Sequence, residues 1–421
     1  MTSDRAAGAR AAAGHAARAS RARLLALLAA GTRDLALAED ALQGAFEEAL
    51  ARWPQAGVPE NPEGWLLAVA RNRQRDAWRS AAVRTAAPLE DGEEGAAVDP
   101  LAELDPDAIP DRRLALLFTC AHPAIDAGVR TPLMLQTVLG FEAAQVARVF
   151  AVPAPTMAQR LVRAKRRIRD AGIPFRIPER REMPERLPGV LEAVYGCFAI
   201  AWADADGAGP DAAESMAGEA LHLAVALAAL LEDEPEAWGL ASLVALSLSR
   251  AGSRTDAFVP LEEQDPAGWD AALVADGEAL LRRAGAASSP HPPGRFELEA
   301  AMQAVHADRA RTAATDWPAL ETLSSALLAV APTLGARVAH AAILGRTRGP
   351  DAGLEALREL ASAAPADFQP LHAARAELLA RAGREEAARA AFRRAAELAP
   401  DERSRAYLAG RAGWGRARPV S

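Results

Sequence analysis

Wherever punctuation divides this chain into blocks, apolar residues recur at the three-to-four-residue interval of a helix, and that pattern leaves all-α as the fold class. Leu24, Leu25 and Leu28, then Leu35, Ala38, Leu42, Ala45, Phe46 and Leu50, follow it in the first block. Alanine dominates, helix formers far outnumber β-branched residues, and only 5% of residues are aromatic. A length of 421 residues allows two to four domains at roughly 100–200 residues each. Two cysteines, Cys120 and Cys197, exclude a disulfide scaffold and a multi-cysteine zinc site, and fit a reducing, cytoplasmic compartment. No apolar run reaches the roughly 18 residues of a membrane span, so no membrane partner is expected.

Breaks in the pattern set the expected organisation. Residues 1–20 are Arg/Ala-rich without an apolar core and read as a disordered tail. Residues 21–84 read as a small helical domain. Its second helix stops at the Pro54, Gly57 and Pro59 cluster, and a third opens at Asn61–Pro62–Glu63 and runs to Trp78. Residues 85–111 hold nine acidic residues and no Lys or Arg, an acidic flexible linker. The charge then reverses. Residues 112–176 carry 11 bases and 3 acids, a local +8 in a chain whose net charge is −8. That reversal is the footprint of a polyanion-binding surface. Lys165 is the single lysine among 48 basic residues, so clustering, not arginine identity, carries the information.

Within 133–169 the sequence predicts a helix-turn-helix. One helix ends near Leu139–Gly140, a second spans Ala143–Phe150, and a third opens near Pro155–Thr156 with Thr156 as its cap. Met157, Leu161, Ala164 and Ile168 should face the core. The other face carries Ala158, Gln159, Arg160, Arg163, Arg166 and Arg167. Gln159 suits adenine, Arg160 a guanine or a phosphate, and the later arginines phosphates. The bland alternative is a basic surface helix that binds nothing.

These segments resemble bacterial sigma factors of the extracytoplasmic-function group. Ala38–Gln43 resembles their core-polymerase-binding helix, Pro62–Arg73 their −10-binding segment and Pro155–Arg166 their −35-binding helix. Asp111–Pro123, Leu261–Asp265 with Trp269-Asp270, and Phe296–Ala307 resemble the subgroup with a TPR-like C-terminal extension. Pro332, Pro365 and Pro400 lie close to the TPR period apart. The resemblance implies that residues 21–84 are sigma region 2, 112–176 sigma region 4 and 182–421 a TPR-like helical extension.

It implies roles as well. Glu39, Asp40 and Gln43 would meet the coiled coil of the polymerase's largest subunit, with the flap as a second polymerase contact. Trp65, Arg71, Asn72, Arg73, Asp76 and Arg79 would lie near the −10 strand, where an unstacked base needs an aromatic platform and basic side chains. Thr156, Ala158, Gln159, Arg160, Arg163, Lys165, Arg166 and Arg167 would meet the −35 element. The partners implied are core RNA polymerase, promoter DNA and a protein docked on the extension. Trp65 and Trp78 also read as core residues. The chain departs from the subgroup at Cys120-Ala121, where the subgroup has paired cysteines, at Gly140-Phe141-Glu142-Ala143 before the turn, and at Phe198–Trp202 and Ala339-His340, where polar residues are replaced.

No phosphate loop, nucleophile elbow or catalytic carboxylate pair is present in the sequence, so neither an enzyme nor a cofactor is expected. Cys120 and His122 lack a second ligand pair for a metal. His222, His306, His340 and His372 read as satisfied or exposed histidines. Two other readings stay open: a helix-turn-helix regulator with a TPR-like sensor, and a TPR scaffold whose sigma half has decayed.

Overall fold

The computed structural model describes residues 20–21, 24–29, 31–32, 34–85, 109–150, 152–173, 178–204, 210–253, 257–288, 291–361 and 364–413. The disordered-tail reading of 1–20 and the linker reading of 85–111 fall outside them except at Ser20, Thr85 and 109–111, which are helical. The described residues are helical and contain no strand, as the periodicity predicts. The chain forms two compact units, Met1–Ile200 and Ala201–Ser421.

In the first unit, α1 (Leu35–Ala56) is capped by Asp34, whose carboxylate accepts from Leu37 N at 3.1 Å. The helix does not stop at Pro54. It continues to Ala56 and ends at Gly57, whose φ of 90° lets its N–H reach Trp53 O at 2.9 Å. α2 (Pro62–Thr85) opens as expected, with Asn61 Oδ1 accepting from Gly64 N at 2.8 Å. It extends seven residues beyond Trp78. The two helices meet edge-to-face at Trp53 and Trp65, centroids 5.5 Å apart. Gly44 lies directly under the Arg73 guanidinium, which pairs with Glu48 at 3.2 Å.

Helices α3 (Ile109–Cys120), α4 (Ala127–Thr137), α5 (Ala143–Val149) and α6 (Ala154–Asp170) follow. Met157, Leu161, Ala164 and Ile168 are all buried, the core stripe read from their spacing. α7 (Met183–Asp204) supplies further cover for this unit. A Cβ on Gly189 would lie 3.6 Å from the Met134 side chain, and one on Gly196 3.5 Å from Leu135. The seam at Ile200 therefore falls within α7, later than the boundary at 182 expected from sequence.

In the second unit, α8 (Pro210–Leu230), α10 (Ala271–Ser288) and α11 (Arg295–Ala307) pack around α9 (Pro235–Leu248). Every residue of α9 from Ala237 to Ser247 is buried, as suits a helix surrounded on all sides. Glu236 accepts from Phe296 N and Glu297 N at 2.9 and 3.2 Å, capping α11 from a neighbouring helix. Burial raises its pKa despite these two bonds.

The short α12 (Arg309–Thr312) leads into α13 (Trp317–Val330), α14 (Leu334–Thr347), α15 (Pro350–Ala361), α16 (Gln369–Arg381), α17 (Glu385–Glu397) and α18 (Glu402–Gly413). Each of α13 to α18 packs on the next. Pro332, Pro365 and Pro400 all lie between helices. Gly349 and Gly383, with φ of 95° and 73°, make the alternate turns.

Candidate nucleic-acid and polymerase interface

The segment expected to form a helix-turn-helix is built from local signals. Glu142 and Gln145 form a capping box at the start of α5, with Glu142 N donating to Gln145 Oε1 at 2.9 Å. Thus Gly140-Phe141-Glu142-Ala143 makes a competent turn: Gly140 takes φ 79° and Glu142 does the capping. Thr156 does not cap α6. Pro153 holds the cap position, and the helix starts at Ala154 because Pro155 fits a first turn where no N–H bond is lost. Thr156 is a half-buried residue inside the helix.

The remaining −35 candidates divide into two groups. Gln159, Arg160, Arg163, Arg166 and Arg167 are exposed on one face, with Ala158 partly covered. Arg160, Arg163 and Arg167 line a groove of about 540 Å³ against Asp126, Gly128 and Val129 at the start of α4. Arg167 also donates to Ala124 O at 3.2 Å. Lys165, however, lies on the buried face. Its ammonium meets Glu39 Oε2 of α1 at 2.5 Å, and the side chains are only 10% and 16% exposed. Arg169, also on α6, reaches Asp34 at 3.5 Å.

The candidate polymerase-binding residues are divided by the same contact. Asp40 and Gln43 are exposed on α1, and Gln43 donates to Glu47 at 3.3 Å. Glu39 is held against Lys165, and its Oε1 is buried without a partner. Cys120 is buried beside the pair. Burial and then Glu39 push its thiol up, against an opposing pull from Lys165. A thiol held protonated is inert. His122 Nδ1 accepts from Ala124 N at 3.1 Å, and burial, then Arg186, lowers its pKa. No group of metal-binding side chains occurs among the described residues.

Among the −10 candidates, Asn72, Arg73, Asp76 and Arg79 are exposed along α2, whereas Trp65 and Arg71 are partly buried. Arg73 is tied to Glu48, Asn72 accepts from Arg75, and Arg71 Nε is buried without a partner. Trp65 meets Trp53 edge-to-face, so it belongs to the α1–α2 contact. The side chain of Trp78 lies outside the described residues.

Sequence reasoning missed the joining of α1 to α6. It also misread His306, which is neither satisfied nor exposed: its Nδ1 is buried without a partner. Arg309 joins the start of α12 to the sequence-remote segment Leu261–Gln264 by donating to the carbonyls of Leu261 and Gln264.

Residues 17–84 match the family model for sigma-70 region 2, and residues 186–285 match a family of unknown function, DUF6596. The uncharacterized protein R00370 of Rhizobium meliloti (strain 1021) is 35% identical over 385 residues, covering 89% of each chain. No solved structure matches. No helix among the described residues is long and apolar enough to cross a membrane.

Proposed function

The chain belongs to the family of that Rhizobium meliloti protein and is sigma-factor-like, with a role in transcription initiation, and on this premise we propose that it is a sigma factor of the extracytoplasmic-function type. Its sigma-70 region 2 implies core RNA polymerase and promoter DNA as partners. The protein directs the polymerase to specific promoters and assists melting. It is cytoplasmic and performs no chemistry of its own. Asp40 and Gln43, with Glu39, engage the polymerase, and the exposed face of α2 lies along the −10 strand. The arginine face of α6, with Gln159, reads the −35 element. The TPR-like extension regulates initiation or docks a partner protein.

The observation that carries this reading is the coincidence of two features in one unit. The region 2 match covers α1 and α2, with Asp40 and Gln43 exposed. Helices α5 and α6 follow, joined by a short turn, and α6 exposes Gln159 and five arginines, as a recognition helix would. A regulator that never binds polymerase would leave the first feature without a role. Because Glu39 is paired with Lys165, engaging it with polymerase requires parting α1 from α6.

The test is in vitro transcription from a promoter-fragment library with core polymerase and this protein as the sole specificity factor. Defined start sites dependent on the protein support the reading; DNA binding without transcription favours the regulator. Asp40→Arg should weaken binding to core without unfolding the domain. Gln159→Ala should change promoter preference, whereas Arg166→Ala should weaken binding across all sequences and lower its salt dependence.

A further inference from the structure

The second unit buries a cationic cluster for which its described residues supply no counter-charge. Arg250 follows α9, and Arg309 opens α12. Their guanidinium carbons lie 5.9 and 5.7 Å from the centroid of the Trp269 ring. Arg309 gives both terminal nitrogens to neutral carbonyls, those of Leu261 and Gln264. Among the described residues the charge acting on Arg250 is that of Arg309, and burial followed by this repulsion brings it down to about 10. His306 feels the same two arginines. Burial, then Arg250, then Arg309 push its imidazole down to about 4.

Four side-chain atoms in this cluster are sealed from solvent and have no partner: Arg250 Nε, Trp269 Nε1, His306 Nδ1 and Gln264 Oε1. Trp269 itself is only 7% exposed. A buried polar group without a partner is costly, and a buried charge without one more so. Of the acids in the neighbouring loop, Glu263 is exposed and acts on Tyr407, and the other three are engaged elsewhere. Glu262 pairs with Arg346. Asp265 accepts from Ala267 N, and Asp270 caps α10 through Ala272 N and Leu273 N.

We propose that this cluster is a binding site for a small oxyanion, a phosphate or a carboxylate, held by Arg250 with Trp269 Nε1–H and His306 Nδ1–H as further donors. Water could satisfy the donors but would leave the Arg250 charge uncompensated. Arg309, already committed to the loop carbonyls, adds positive potential and fixes the Leu261–Gln264 segment. The free acceptor on Gln264 favours a ligand that also carries an O–H or N–H, as hydrogen phosphate and hydroxycarboxylates do.

The test uses the full chain, exchanged into phosphate-free chloride buffer and melted with millimolar phosphate, citrate or chloride at matched ionic strength. Phosphate or citrate should raise the wild-type Tm by about 5–10 °C at a hundredfold excess over Kd. Arg250→Met should lose that rise, which separates site binding from the general effect of excluded salts. It should also melt no lower than wild type in chloride, having shed an uncompensated charge. Tryptophan fluorescence should titrate with the anion in wild type and not in Trp269→Phe. The exposed Arg311→Gln should behave as wild type throughout. A wild-type Tm with no anion-specific rise overturns the proposal, as does an Arg250→Met that melts several degrees low in chloride. Asp256 lies outside the described residues and is the rival counter-charge. If Asp256→Asn lowers the Tm in chloride and gains an anion response that wild type lacks, the site is already filled and the proposal fails.

Discussion

At the scale of single residues, burial decides which charges are available for function. Glu39 and Asp40 are adjacent in sequence, yet the helical step puts one against Lys165 and leaves the other exposed. The exposure of Asp40 and Gln43, and of the arginines of α6, is legible from helical spacing. The Glu39–Lys165 pair is not, because spacing gives the face of a helix but not the helix it meets 126 residues away. Lys165→Met should destabilise the first unit by about 2–4 kcal/mol, since it leaves a mostly buried carboxylate uncompensated. Lys165→Met with Glu39→Leu should recover most of that loss. Urea unfolding of the two single variants and the double variant measures the coupling. His306 supplies a second prediction. Its folded-state pKa of about 4 lies below the ordinary value of 6.5, so the unfolded chain takes up the proton first. The corresponding stability is full above pH 6.5 and is lost as pH falls toward 4, by about 2–3 kcal/mol. His306→Asn should flatten that part of the stability–pH curve measured in chloride buffer.

Among whole elements, the turn residues were the most legible and helix ends the least. Asn61 caps α2 as its sequence suggests, and the three spaced prolines all fall between helices. Pro54 misleads because a proline near a helix end costs one bond, and α1 continues to a glycine that terminates it. Thr156 misleads because Pro155 is acceptable inside the first turn. Close approaches between helices were invisible in the sequence. Gly353 on α15 is one: an added Cβ would meet Ala341 O at 2.5 Å and Leu378 Cδ1 at 2.9 Å. A backbone carbonyl cannot rotate away, so Gly353→Ala should destabilise the second unit by about 1–3 kcal/mol, even though alanine is the better helix former. Gly410 on α18 has nothing within 4 Å of the same position. There Gly410→Ala should stabilise by up to about 1 kcal/mol. Opposite shifts in thermal midpoint test both; two shifts of the same sign would contradict the packing argument.

For the whole molecule, the all-α class follows from periodicity and composition, and the seam between the units from neither. Helix α7 begins at Met183, near the expected start of the extension, but residues up to Ile200 belong to the first unit. Its apolar positions, Leu187, Val190, Leu191, Val194 and Cys197, are buried, a stripe that the sequence offers equally to either side. The physical consequence concerns where the chain can be cut. Ending it at residue 178 removes the helix that lies over Met134 and Leu135, both fully buried. Each fully buried side chain of this size contributes about 1.5–3 kcal/mol, so residues 1–178 should unfold at markedly lower urea than 1–204. Equal midpoints would mean that α7 is not part of the first unit's core. The longer fragment is then the proper one for asking what the extension does. If the extension regulates initiation, 1–204 should bind core polymerase but initiate weakly or without regulation in the promoter-library assay. Full, normally regulated initiation from 1–204 would remove the extension from the mechanism and leave promoter selection to the first unit alone.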